Sequence, residues 1–114
     1  MSGCLFCAIA AGDIPADIVF DDDGILAFRD ISPQAPVHVL VITRDHFADA
    51  AALAAADTAL AGRLLAAATS VAQEQGLAAS GYRIVTNTGE QAGQSVPHVH
   101  LHVLGGRDLA WPPG

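Results

Sequence analysis

The sequence predicts an α+β fold: an antiparallel β-sheet of about five strands with one long helix and a short helix near the N-terminus. Several short apolar runs end at glycine, proline or aspartate, as strands joined by turns do. One alanine-rich segment repeats its apolar residues with the period of a helix. The chain has 114 residues, which is enough for one domain with its own core, so we expect a single domain over residues 1–114.

The first quarter of the chain predicts a helical turn followed by a hairpin. In residues 1–16 an apolar cluster precedes Gly12 and Pro15, so we expect a short helix that ends in a bend. The apolar runs at 18–20 and 25–28 flank an Asp-Asp-Asp-Gly turn, which predicts two antiparallel strands. We interpret the acidic triplet as a solvated turn and not as a metal site.

The rest of the chain predicts further strands around the long helix. Residues 32–36 contain two prolines and should form a loop, and residues 37–43 should form the next strand. Between Ala48 and Gly76 we expect one long helix, with Asp57 or Thr58 as its N-cap. A strand over 82–87 and a glycine-bearing loop over 88–95 should follow it, and the tail after residue 104 should be irregular.

Three histidines alternate with apolar residues in His98-Val99-His100-Leu101-His102. A strand sends every second side chain to the same face, about 6.5 to 7 Å apart, so the three imidazoles should line one surface while their neighbours face the core. Such a set can bind zinc, hold a phosphate by hydrogen bonds, or attack phosphorus with one ring while the others move protons. The residues alone leave these three chemistries open.

Charge and composition restrict the partners and the location. The net charge is −7, with five arginines and no lysine, so the field of the chain repels polyanions and we expect no long nucleic acid as partner. No stretch approaches the roughly 18 apolar residues of a membrane span, and no secretory signal opens the chain, so we expect a cytoplasmic protein without a membrane partner. In such a compartment the spacing of Cys4 and Cys7 favours metal binding or redox chemistry over a structural disulfide.

The histidine segment, followed by Val103 and Leu104, closely resembles the signature of the histidine triad (HIT) superfamily. The similarity covers nearly the whole chain and points to the branch of histidine triad nucleotide-binding (HINT) proteins. It is carried by residues 30–36, His38, residues 93–96 and residues 111–114. The resemblance implies a HIT-like fold, a purine nucleotide as substrate and a homodimer.

The resemblance also implies an activity, the hydrolysis of purine nucleoside phosphoramidates such as adenosine 5′-monophosphoramidate. His100 is the expected nucleophile and forms a nucleotidyl-histidine intermediate. His102 is expected to donate to phosphate oxygens, His38 to support the cluster, and Ser95 to hydrogen-bond the phosphate or the leaving group, with His98 completing the catalytic set. The alternatives are a dinucleoside polyphosphate hydrolase with the same nucleophile and a non-catalytic nucleotide-binding or zinc-stabilised interaction module.

The family further implies a nucleoside pocket in which Asp30 accepts hydrogen bonds from the ribose hydroxyls. Its four apolar members are Leu5, Phe6, Ile9 and Phe28, and by composition they could equally belong to an ordinary hydrophobic core. We expect backbone N–H groups near Gly93 and Gln94 to stabilise charge on the phosphate, and the resemblance places Trp111 near the active site of a partner subunit. The expected substrate-binding residues are Asp30, Leu5, Phe6, Ile9, Phe28, Asn87, Gly93, Gln94 and Trp111.

A zinc site is the last implication of the resemblance. In bacterial-type relatives a Cys-x-x-Cys pair and two histidines surround zinc, and the matching residues are Cys4, Cys7, His46 and His98. Four protein ligands make a closed and therefore structural site, since catalytic zinc keeps one position open. We accordingly expect no cofactor in the catalysis itself.

Overall fold

Five strands form one antiparallel sheet in the computed structural model, which describes residues 3–114. The spatial order is β1-β2-β3-β5-β4, and every neighbouring pair is antiparallel. The predicted α+β class is confirmed. Since β5 lies between β3 and β4, the strand that begins with the central histidine is supported on both sides. The strands are β1 Ile18–Asp22, β2 Ile25–Arg29, β3 Val37–Thr43, β4 Tyr82–Val85 and β5 His100–Gly105.

The helices are α1 Leu5–Ala10, α2 Ala50–Ala56 and α3 Thr58–Glu74, with a short 3-10 helix at Glu90–Ala92. The prediction of one long helix is correct for α3 but misses α2. Asp57 separates the two: its φ of −156° is not helical, and its carboxylate accepts a hydrogen bond from the backbone N–H of Leu60 at 3.0 Å. An aspartate that caps one helix in this way ends the helix before it. Among the described residues, no helix is both long and apolar enough to cross a membrane.

The two faces of the sheet bury different partners. On one face β2, β3 and β5 pack against α2 and α3 and form the main core. On the other face they pack against α1 and form a smaller cluster. Because side chains alternate along a strand, Leu101 and Val103 point into the main core while His100 and His102 lie on the α1 face. The smaller cluster contains Cys4, Phe6, Ile9, Leu26, Phe28, Leu40 and Ile42.

Two strand boundaries differ from the prediction. β4 ends at Val85, and the hydroxyl of the next residue, Thr86, donates to the carbonyl of His100 at 2.9 Å. β5 begins at His100, so His98 lies in a bend before the strand, where its backbone N–H donates to the carbonyl of Val96 at 2.8 Å. The expectation that all three histidines belong to one strand is therefore wrong for His98, which is fully buried at 0% exposure.

The predicted hairpin is confirmed, with β1 and β2 paired antiparallel around a turn at Asp23 and Gly24. Gly24 has a φ of +82°, which favours glycine there. Asp21 and Asp22 belong to the end of β1, and the turn itself is shorter than expected. The hairpin places Phe28 of β2 in the smaller cluster on the α1 face.

Candidate functional site

A cleft of about 540 Å³ lies between α1 and the face of the sheet that carries the histidines. Its apolar lining includes Leu5, Phe6, Ile9 and Phe28, the four predicted nucleoside-pocket residues. Its polar lining includes further predicted residues, which are Asp30, Ser95, His100 and His102. The cleft thus combines an apolar surface for a flat ring with donors and acceptors for a polar group.

The ring of His100 is held in one tautomer. Its Nδ1 lies 2.7 Å from the backbone carbonyl oxygen of His98. A carbonyl oxygen only accepts, so Nδ1 carries the proton and donates it. A neutral imidazole has one N–H, which leaves Nε2 with a free lone pair. The ring of Phe6 packs edge-on against the His100 ring with centroids 5.0 Å apart and fixes its orientation.

A chain of hydrogen bonds fixes the tautomers of His38 and His102. The backbone N–H of Gln34 donates to Nδ1 of His38 at 3.0 Å, so the proton of neutral His38 sits on Nε2. This Nε2 lies 2.9 Å from Nδ1 of His102 and donates to it. His102 therefore carries its own proton on Nε2, the nitrogen that remains free to donate to a ligand in the cleft.

The rings of His38 and His102 are both neutral at neutral pH. Burial, together with repulsion from His100 and His38, lowers the pKa of His102 to about 4, although the Asp30 carboxylate acts in the opposite direction. Burial also lowers the pKa of His38, although the Asp30 carboxylate, 3.5 Å from its Nε2, acts in the opposite direction. A hydrogen-bonded chain of neutral imidazoles is consistent with these shifts.

Cys4, Cys7, His46 and His98 form a second cluster, here called the tetrad, whose candidate ligand atoms all lie within 4.8 Å of one another. Nδ1 of His98 is 3.5 Å from the Sγ atoms of both cysteines, and Nδ1 of His46 is 3.3 Å from Sγ of Cys7. Burial raises the pKa of Cys7 and lowers the pKa of His98. The predicted metal residues are therefore brought together at the N-terminus of α1.

The tetrad fits tetrahedral zinc. With Zn–S near 2.3 Å and Zn–N of 2.0 to 2.1 Å, tetrahedral angles separate sulfur from nitrogen by about 3.6 Å, close to the 3.3 and 3.5 Å found here. Nε2 of His98 lies 2.7 Å from the carbonyl oxygen of Thr43 and donates to it, so the lone pair of Nδ1 faces the cysteines. Such a second hydrogen bond orients histidine ligands in metal sites.

Asp30, His38 and His102 also lie close enough together to be considered as metal ligands. Nε2 of His38 carries a proton and donates it to His102, because Nδ1 of His38 is occupied by the N–H of Gln34. A protonated nitrogen has no lone pair for a metal. The hydrogen-bonded chain accounts for this cluster without a cation.

Two predicted phosphate contacts are not at the cleft. The backbone N–H of Gly93 donates to the carbonyl of Glu90 at 3.0 Å, and that of Gln94 donates to the carbonyl of Gly89 at 3.1 Å. Both groups therefore hold the loop together instead of pointing at a ligand. Ser95 does line the cleft, and within residues 3–114 neither its N–H nor its hydroxyl has a hydrogen-bond partner. Its donors are available to a ligand.

Four further predicted residues lie outside the cleft lining. Asn87 is half-buried after β4, and Trp111 is 82% exposed on the tail. His38 lies behind His102 and reaches the cleft only through it. His98 uses Nε2 on Thr43 and turns Nδ1 towards the cysteines, so neither ring nitrogen is left for proton transfer at the cleft.

Some lining residues are missing from the prediction. Leu40 shares the face of His38 on β3, and strand alternation identifies it. Ile14 and Ile31 form the rim, and Ile31 is 98% exposed. A large apolar residue in a polar, proline-containing loop is the sequence signal for such a position. The backbone N–H of Gln34 leaves no signal at all, because any residue supplies one.

Comparisons with known proteins agree with this geometry. Residues 11–109 match the HIT domain family. An uncharacterised HIT-like protein of Synechococcus elongatus is 52% identical over 96% of this chain and 96% of its own length. Adenylylsulfatase HINT1 of Arabidopsis thaliana is 47% identical over 99% of this chain and 78% of its own.

Solved structures give the same result. The crystal structure of a HIT family hydrolase from Legionella pneumophila superposes with a TM-score of 0.94 at 51% identity, over 98% of this chain and 100% of that one. A HIT family hydrolase from Clostridium thermocellum superposes with a TM-score of 0.92 at 39% identity, over 96% of each chain. The chain therefore belongs to the HIT family, as a HINT-like member of its hydrolases.

Proposed function

We propose that the protein hydrolyses purine nucleoside phosphoramidates and releases a nucleoside monophosphate and an amine. The observation that carries the proposal is the tautomer of His100. Its Nδ1–H is donated to the His98 carbonyl, which leaves the lone pair of Nε2 for the cleft. A nitrogen nucleophile must be unprotonated, and an imidazole meets this condition near neutral pH.

In the first displacement, Nε2 of His100 attacks the α-phosphorus. A bond from phosphorus to this nitrogen forms as the phosphorus–nitrogen bond of the substrate breaks. The departing nitrogen takes up one proton from water at the open mouth of the cleft. The Ser95 hydroxyl lines the cleft and has no partner among the described residues, which leaves it free to hydrogen-bond the leaving nitrogen.

His102 acts as a neutral donor in this reaction. The hydrogen-bonded chain from Gln34 through His38 keeps the proton of His102 on Nε2. That N–H donates to a non-bridging phosphate oxygen, where negative charge increases in the transition state. A donor fixed before the reaction begins needs no reorganisation, which is the source of such stabilisation.

The second displacement returns the enzyme to its starting state. Water attacks the phosphorus of the nucleotidyl-histidine intermediate, the bond to Nε2 of His100 breaks, and the water proton passes to solvent. This proton balances the one taken up by the amine in the first step. Splitting one hydrolysis into two displacements lowers the barrier of each.

The nucleoside is proposed to occupy the rest of the cleft. The purine packs against Phe6 and Phe28, whose rings already contact each other edge-on at 5.5 Å. Asp30 accepts from the ribose hydroxyls through Oδ2, while its Oδ1 is occupied by the backbone N–H of Ser32 at 2.8 Å. The open rim at Ile31 leaves room for substituents on the base.

Three substrate classes share this nucleophile. The Arabidopsis relative is named an adenylylsulfatase, and transfer of the adenylyl group from sulfate to His100 would follow the same two steps. A dinucleoside polyphosphate would lose a nucleotide from the same α-phosphorus. A protein that only binds nucleotides would show affinity without turnover. A panel of adenosine phosphoramidate, adenylyl sulfate and dinucleoside polyphosphate, compared by kcat/KM, ranks these classes.

Zinc in the tetrad is part of the proposal. Cys4, Cys7, His46 and His98 would supply all four ligands and leave no open position for a substrate, which makes the role structural. Elemental analysis should find about one zinc per chain, and His46→Ala should reduce that content. A metal-free wild-type protein purified in the presence of zinc would contradict it.

A homodimer in the cytoplasm completes the proposal, with Trp111 of each chain close to the cleft of the other. Trp111 is 82% exposed in the single chain, which leaves its indole available to contact a partner subunit. Light scattering at working concentration should give twice the mass of the chain. A monomer would remove the dimer and the role of Trp111 together.

The decisive experiment for the reaction compares wild type with His100→Ala. We expect the variant to bind adenosine 5′-monophosphate but to lose hydrolysis of adenosine 5′-monophosphoramidate by several orders of magnitude, since the intermediate cannot form. Acid quench of a single turnover of wild type should trap a nucleotide on residue 100. Equal hydrolysis rates, or a nucleotide trapped elsewhere, would refute the mechanism.

A further inference from the structure

We infer that the tetrad controls the nucleotide affinity of the cleft, so that zinc and nucleotide bind cooperatively through α1 and the His98–His100 pair. The inference rests on the proposed binding of zinc and of nucleotide. It assigns Cys4, Cys7 and His46 a positioning role, although none of them has to touch the substrate. Two separate structural connections carry it.

The first connection is α1. This helix has only six residues, too few to be stable alone. Its N-terminus is capped by Sγ of Cys4, which accepts from the backbone N–H of Cys7 at 3.4 Å, and the Sγ atoms of both cysteines lie 3.5 Å from Nδ1 of His98. Its C-terminus is held by Arg44, which donates to the carbonyl of Ala10 at 3.0 Å. Because Leu5 and Phe6 lie between the two cysteines and line the cleft, moving the cysteines moves the cleft wall.

The second connection runs through His98. Its ring reaches the cysteines through Nδ1, and its carbonyl accepts the Nδ1–H of His100 at 2.7 Å. The ring of Phe6 contacts both histidines edge-on, with centroids 6.0 Å from His98 and 5.0 Å from His100. Any shift of His98 after loss of a ligand in the tetrad therefore displaces the hydrogen bond that orients the nucleophile.

The packing of the chain separates this effect from overall stability. Cys4 belongs to the smaller cluster, together with Phe6, Ile9 and Phe28, and these residues are also walls of the cleft. The main core between the sheet and α2 and α3 contains neither cysteine. Release of a metal from the tetrad should thus loosen the cleft while the main core remains folded.

Thermodynamic linkage makes the inference reciprocal. If a metal in the tetrad raises the affinity for a nucleotide, the nucleotide raises the affinity for the metal by the same factor. Couplings between sites in proteins commonly amount to at least about fivefold. We expect this factor for Zn²⁺ and adenosine 5′-monophosphate.

The test is calorimetric titration of adenosine 5′-monophosphate into reduced protein, either zinc-loaded or treated with a chelator. His46→Ala removes a ligand that does not line the cleft, and Gln73→Ala on the exposed surface of α3 is the matched control. We expect Kd to be at least about fivefold weaker after chelation of wild type. His46→Ala should be equally weak and insensitive to chelator, and Gln73→Ala should behave as wild type.

The reverse titration measures the zinc affinity of wild type by competition with a chromophoric chelator, with and without saturating adenosine 5′-monophosphate. The nucleotide should raise this affinity by the same factor. A merely structural role would change the fraction of active protein and leave Kd unchanged. Amide hydrogen exchange of α2 and α3, which form the main core with the sheet, should be unaffected by chelation.

The other outcomes separate the inference from the proposed function. Equal nucleotide Kd values with and without zinc would overturn the coupling and leave the proposed activity intact. No nucleotide binding by the zinc-loaded protein would overturn the proposed function and the coupling with it. Absence of zinc uptake would overturn the coupling, because the tetrad would then bind no metal. Loss of amide protection in α2 and α3 on chelation would also overturn it, because the tetrad would then stabilise the whole fold.

Discussion

Replacement of His38 tests most directly whether this residue holds His102 in its Nε2–H tautomer. His38→Leu removes the donor to Nδ1 of His102 and the acceptor for the N–H of Gln34 within a buried site. A buried polar group that loses its partner costs about 1–3 kcal/mol. If that energy holds His102 as an Nε2–H donor, its loss corresponds to about 5- to 150-fold in kcat/KM.

The assay is steady-state hydrolysis of adenosine 5′-monophosphoramidate, combined with long-range ¹H–¹⁵N correlation spectra that report which nitrogen of His102 carries the proton. His38→Gln is the matched control, because its amide places an N–H near the position of Nε2 and should retain most of the activity. In His38→Leu we expect mixed tautomers at His102. Wild-type kcat/KM in that variant, with His102 still protonated on Nε2, would refute the reasoning.

Three further predictions concern stability. Burial lowers the pKa of His102 in the folded protein to about 4, whereas histidine in an unfolded chain has a pKa of about 6.5. As the pH falls, protons therefore bind the unfolded chain first, and the free energy of unfolding should decline between about pH 6.5 and about pH 4. Urea midpoints at about pH 7 and about pH 5 should differ more for wild type than for His102→Gln, and a larger difference in the variant would contradict the shift. In Gly105→Ala the added Cβ meets a methyl carbon of Leu77 at 2.7 Å; a loss of about 1–3 kcal/mol is expected, with a smaller loss when the same change is made in a Leu77→Ala background, and an unchanged midpoint would count against it. Asp57→Ala should lose about 1 kcal/mol by removing the cap on Leu60, whereas Asp57→Asn should remain near wild type in thermal unfolding.

Local periodicity predicted most of the fold. The apolar run that follows a proline-containing loop located β3 at residues 37–43, and the alternation of histidines with apolar residues assigned Leu101 and Val103 to the core, as the structure has them. The helical spacing and Asp57 located α3. The same reasoning missed α2, because a run of alanines carries little periodic signal and its end depends on which helix Asp57 caps.

At the site, the side chains of the cleft could be predicted from the sequence, but the backbone donors of the loop could not. The cleft brings together Phe6, Phe28, Asp30, Ser95 and His100 as expected. The roles expected for Gly93 and Gln94 could not be decided in advance, because the direction of a backbone N–H depends on how its loop closes. The sequence shows that a glycine loop precedes the histidines, but not which of its donors remain free.

By itself, the sequence determined which side chains share a face, since a strand repeats every two residues whatever surrounds it. That was enough to put His100 and His102 together. Only the tertiary structure decided what each histidine can do. Their protons are placed by partners distant in the chain: His38 lies 64 positions from His102, and Cys4 lies 94 positions from His98. A tautomer depends on the atom that meets each ring nitrogen, and packing alone brings those atoms together.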